Sequence, residues 1–96
     1  MNKIILLGRL VKDIEVRMAK DGKAIGKFTL AIDNGKNKEA SFIPVTVFGK
    51  TAENMANFTK KGDKISVEGQ IANNNWEKDG VKHYELQVLG NVVRFI

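Results

Sequence analysis

Cysteine is absent from this 96-residue chain, which excludes disulfide bonds and every thiolate metal site. The absence fits a reducing compartment. Histidine occurs once, as His83. With no nucleophile beside it in a strand-like run, acid–base or nucleophilic catalysis has no seat. Asp13 and Glu15 stand two apart, a spacing that makes no site by itself. No glycine-rich loop of the P-loop form is present. We therefore expect no enzyme, no catalytic residues, no metal and no cofactor. Long apolar runs are also missing. Nothing approaches the ~20 residues of a membrane helix, and the stretch from Met1 to Arg9 is too short and interrupted for a signal peptide. A cytoplasmic protein without a membrane partner is expected.

The 96 residues amount to one domain, residues 1–96, with a core small enough that stability alone is marginal. Sixteen Lys and Arg face eleven Asp and Glu, a formal charge of +5. Such a charge solubilises a surface, and it also attracts polyanions.

The dominant hydrophobic period is two. Five strand-like runs emerge: Asn2 to Val11, Ala24 to Asp33, Ala40 to Phe48, Lys64 to Asn74 and Lys82 to Phe95. Asp21-Gly22, Asn34-Gly35 and Asp79-Gly80 mark turns. A helical stripe of Ala52, Met55, Ala56 and Phe58 lies between the third and fourth runs, with Thr51 as its expected N-cap and Gly62 as a stop signal. Three strands, a helix and two strands give the element order of an all-β, five-stranded OB-fold barrel, with one short helix between strands three and four.

Alternation assigns faces. Phe28, Leu30 and Ile32 point to the core, as do Ile43, Val45 and Val47, and then Ile65, Val67 and Ile71. Gly69 falls on the inward parity, where a tight bend wants no side chain. The opposite face of the third run carries Phe42, Pro44, Thr46 and Phe48. An exposed Phe forfeits roughly 1.5–3 kcal/mol of burial, so those rings are covered by helix, loop or another subunit, or they stack on bases. Pro44 cannot donate to a ladder and implies an edge or a bulge, which would flip the parity of one Phe. Trp76 falls in a polar loop after the fourth run. Ile4, Ile5, Leu6 and Leu7 make both faces of the first strand apolar, which favours a subunit interface over cover from within the chain.

Several segments, in order and at matching spacing, carry a resemblance. They are Asn2-Lys3-Ile4-Ile5-Leu6-Leu7-Gly8-Arg9-Leu10, Asp13-Ile14-Glu15-Val16-Arg17, Phe28-Thr29-Leu30-Ala31, Val47-Phe48-Gly49-Lys50-Thr51-Ala52-Glu53, Lys60-Lys61-Gly62 and Val67-Glu68-Gly69-Gln70-Ile71. The chain resembles the bacterial and phage single-stranded-DNA-binding proteins of the SSB type. The resemblance implies sequence-nonspecific binding and protection of single-stranded DNA in replication, recombination and repair, in the cytoplasm at the nucleoid. It implies a homo-oligomer, a tetramer in most members, paired through first strands. By position it implies base stacking on Phe48, Trp76 and Phe42, the last where many relatives have Trp. Arg17, Lys50, Lys60 and Lys61 match commonly basic positions.

The chain departs from that pattern in places. The loop from Asp33 to Glu39 has no aromatic, and Lys36 and Lys38 are expected to contact phosphates there instead. Ala72 to Asn75 and Pro44 stand where cations are common. The chain ends at Ile96, where typical members continue into a linker and acidic tip, so loss of tail-mediated replication and repair partners is expected. The runner-up reading is a primosomal-type OB accessory protein acting mainly through protein contacts.

Overall fold

The computed structural model describes residues 1–96. Its strands are β1 (Ile4–Leu10), β2 (Glu15–Met18), β3 (Ala24–Ile32), β4 (Ser41–Phe48), β5 (Lys64–Lys78) and β6 (Val81–Phe95), with one helix, α1 (Lys50–Phe58), between β4 and β5. Hydrogen-bonded neighbours run β1-β5-β6-β4-β3, and β3 returns to β1 through Arg9–Ala31 and Leu10–Leu30. Five strands thus close a ring, the OB-fold barrel that the element order implied. The short β2 lies outside the ring and continues along the β3 edge that β1 leaves. Four residues are too few for periodicity to register, which is why five runs were read where six strands exist.

Alternation sorts the faces of β3 and β4 as expected. Phe28, Leu30, Val45 and Val47 are buried with Leu10, Ile65, Val67 and Val88. Fully burying such a side chain contributes about 1.5–3 kcal/mol. The helix adds Ala52 and Met55 to this core and lies against β2, β3, β4 and β6. Ala56 and Phe58 of the anticipated stripe are instead exposed, because a nine-residue helix buries little more than one turn. Its N-cap is Gly49 rather than Thr51, the Gly49 carbonyl accepting the Glu53 N–H at 3.1 Å. It ends on Thr59, whose hydroxyl donates to the Met55 carbonyl at 2.6 Å. Gly62 belongs to the following turn and donates to the Leu10 carbonyl.

Pro44 introduces no bulge. The β3–β4 register runs unbroken from Ile25–Phe48 to Ile32–Ser41, with Pro44 opposite Thr29. The Thr29 carbonyl points away from β4 and accepts the Val11 N–H. The pair is therefore of the non-hydrogen-bonded kind, in which no N–H is asked of Pro44. On its other side β4 meets β6 only at Val45–Val88 and Thr46–Leu89, a parallel joint starting one residue beyond the proline.

The break in register lies instead in β6. Glu68 pairs with Val92 and Gly69 with Gly90, so Asn91 is the extra residue of a bulge. A Cβ at Gly69 would run into the Leu89 carbonyl, which accounts for glycine on this inward position. Beyond the bulge β5 and β6 continue as a hairpin to Lys78–Val81. Asp79 (φ 53°) and Gly80 (φ 78°) form its turn, as a two-residue connection requires. Trp76 is consequently a strand residue and not a loop residue, and Asn73 to Asn75 are strand as well. Ile71, expected in the core, is exposed because it lies past Gly69, the last β5 residue that β1 pairs, although its partner Val88 is buried. The Asn2 side chain clamps the Ile71 backbone through two hydrogen bonds, at 2.8 and 2.9 Å.

Candidate nucleic-acid interface

Pairing places residues of β2, β3 and β4 in transverse rows on the outer face of the barrel. Phe48 aligns with Ile25, and Ile25 with Arg17. Thr46 aligns with Lys27, and Lys27 with Glu15. Further along, Phe42 aligns with Ala31, and Ala31 with Arg9 of β1. Unbroken register keeps both Phe rings on this face, six residues or ~20 Å apart along β4. Phe42 is 62% exposed and Phe48 49%, so each keeps about half or more of its surface open. Between them lies a groove of about 220 Å³, bordered by Lys12, Lys27 and Glu15 on one side and by Asn74, Glu85 and Gln87 on the other. Thr46 lies in that groove, yet it is 6% exposed. Alternation marked it as outward, and it is covered because its hydroxyl hydrogen-bonds the Gln87 side chain at 2.7 Å.

That hydrogen bond ties the barrel face to the hairpin. On β6, His83, Glu85 and Gln87 share one parity, and their partners on β5 are Trp76, Asn74 and Ala72. Gln87 reaches Thr46, and Asn74 and Glu85 line the groove, so this hairpin face continues the groove. Trp76 therefore stands on the same surface as the two Phe rings, four residues or ~13 Å beyond Gln87's partner Ala72. It is 43% exposed. His83 stacks on one face of the indole, with ring centroids 5.1 Å apart and planes 13° from parallel.

The cations divide into groups. Arg17 sits in the Phe48 row, and Lys50 follows Phe48 by two residues at the start of α1. The Lys61 N–H donates to Asp13 Oδ1 at 2.7 Å. This holds Lys61 beside Lys12 and Glu15 at the groove's edge. Lys60 lies in the same turn, its N–H held by Asp63. Lys38 lines a second cleft with Arg9, Ala31 and Lys64, beside the Phe42 row. Lys36 is exposed in the same β3–β4 connection. Sequence reasoning did not select Lys27, Lys12, Arg9 or His83. Lys27 is exposed between the buried Gly26 and Phe28, and only the register sets it between the Phe rows.

The architecture and this face can be set against known proteins. Residues 1–96 match the Single-strand binding protein family. The chain belongs to that family. It is 43% identical over 103 residues to the single-stranded DNA-binding protein of Clostridium tetani, spanning all of this chain and 70% of that one. It is 40% identical over 102 residues to single-stranded DNA-binding protein 3 of Clostridium acetobutylicum, of which it spans 71%. It is 39% identical over 102 residues to the single-stranded DNA-binding protein of Bacillus cereus, of which it spans 60%.

On this single-strand binding family member a second surface stands apart from the groove. Ile4 and Leu6 are half-buried against the core, whereas Ile5 is 66% and Leu7 50% exposed. Beyond β5, which pairs with β1 along this stretch, the partly exposed Val92 lies opposite Glu68. On its other edge β1 is paired only at Arg9 and Leu10, which leaves Ile4 to Gly8 unpaired there. No cluster of His, Asp and Glu able to hold a metal ion is present, and no helix is long and apolar enough to cross a membrane.

Proposed function

We propose that the chain binds single-stranded DNA without sequence preference, and protects it, by stacking bases on Phe42, Phe48 and Trp76. The observation that carries this reading is three exposed aromatic side chains on one continuous outer face, in a member of the single-strand binding family. Left in water, each ring forfeits burial energy. A base covers it and contributes ~1–3 kcal/mol of stacking, whatever its identity, because every base has a π-face. Duplex DNA hides those faces, so the aromatics select single strands.

Phosphates run along the flanks of the groove, near Arg17, Lys50, Lys60, Lys61, Lys27, Lys36 and Lys38. The groove itself also carries Asp13, Glu15 and Glu85. With Lys12 and Lys27 beside these three carboxylates the groove has no cationic excess, so the phosphates keep to its lysine side and the bases face inward. Counterions released from the strand make the affinity fall with salt. A second copy of the chain covers Ile5 and Leu7, giving a homo-oligomer, a tetramer in this reading. Joining several grooves raises effective concentration along one strand.

Trp76 is the sole tryptophan, so its fluorescence tests the reading directly. Oligothymidylate quenches it, high salt restores it, and a duplex of equal length quenches it far less. Absence of quenching, with a monomer by light scattering, would overturn the proposal and favour a barrel that works through protein contacts.

A further inference from the structure

We infer that His83 is a working part of the single-strand site: its imidazole backs Trp76 and holds the indole ready for a base. The inference rests on the binding reading above and extends it to a residue outside the aromatic and basic sets.

The geometry carries it. His83 and Trp76 are cross-strand partners, and their near-parallel rings occupy one face of the indole. Only the opposite face is open to a base. A base bound there completes a three-layer stack, with the imidazole fixing the indole's tilt before the strand arrives. Exposed on a bare hairpin, Trp76 would otherwise sample several rotamers and lose that freedom on binding.

Only β5 and β6 surround this ring, since β1 pairs with β5 no further than Gly69 and β4 meets β6 only at Val88 and Leu89. The indole therefore takes its support from its cross-strand partner, and His83 supplies a flat ring there.

The test uses the whole chain and a labelled oligothymidylate, with affinity measured in ~0.1 M salt for the parent, His83→Phe and His83→Ala. His83→Ala weakens binding about two- to tenfold, the cost of ordering one freed side chain, with the slope of log K against log salt unchanged. His83→Phe keeps a flat ring against the indole and restores the parent affinity. In the free protein the fluorescence anisotropy of Trp76 falls in His83→Ala and is kept in His83→Phe. A folded His83→Ala protein that binds as tightly as the parent would overturn the role of His83 and leave the stacking site standing. A parent that does not bind would overturn the single-strand reading and this inference with it.

Discussion

Truncating Phe48 to alanine separates the stacking contribution from the electrostatic one. Phe48 keeps 49% of its surface exposed, so the folded barrel holds about half of the ~1.5–3 kcal/mol that full burial of a Phe supplies. Removing the ring therefore lowers stability by ~1 kcal/mol, small beside the roughly 5–15 kcal/mol of an ordinary domain. The variant folds. Its binding loses one stacked base, about 1–3 kcal/mol, which is about a five- to 150-fold weaker Kd. The assay is fluorescence anisotropy with labelled oligothymidylate of ~8 nucleotides, inside the usual span of one OB fold, titrated over a range of salt. Phe48→Ala removes no charge. Plots of log K against log salt therefore stay parallel to the parent's and are displaced to weaker binding. Phe48→Trp, with a larger π-face, restores the line. A folded Phe48→Ala protein binding within twofold of the parent at every salt concentration refutes the stacking role.

Three further outcomes follow from the same geometry. Lys27→Ala, between the two Phe rows, weakens binding and lowers the salt slope by about 0.7; an unaltered slope in the same titration removes Lys27 from the phosphate contacts. Leu7→Glu places a charge on the exposed face of β1, so light scattering reports a smaller assembly while circular dichroism stays that of the parent. Gly69→Ala drives a methyl group against the Leu89 carbonyl, at an overpacking cost of about 2 kcal/mol or more, and calorimetry reads a Tm lower by on the order of 10 °C.

Much of the barrel was legible because its strands alternate. Val45 and Val47 inward against Phe42 and Phe48 outward is a statement about parity alone, and parity survives wherever a strand is regular. Pro44 threatened it, and the threat dissolved on a fact no sequence states, namely which way Thr29 points its carbonyl. The hairpin was harder to read. Asn73, Asn74 and Asn75 have poor strand propensity, and their extended conformation is imposed by pairing with Leu86, Glu85 and Tyr84. Trp76 therefore looked like a loop residue, and its stack on His83 was invisible. Lys27, Arg9 and Lys12 illustrate the general gap. Each was visibly polar, but neighbours across strands depend on register, which brings together positions far apart in the chain. The family resemblance pointed to Phe48 and Trp76 without showing that one hydrogen bond, Thr46 to Gln87, sets their two platforms on a common surface.

That hydrogen bond spans one of the ring's two short seams. β5 and β6 are laced from Ile65–Phe95 to Lys78–Val81, and β3 and β4 along the whole of β4, but β4 and β6 pair at only two positions, side by side and parallel, as few as join β1 to β3. Where this seam opens, Val45 and Val88 are the core residues that meet solvent. The groove crosses the seam, with the Phe rings on one bank and the hairpin on the other. On the proposed binding reading, a strand lying in it would be a clasp as well as a cargo.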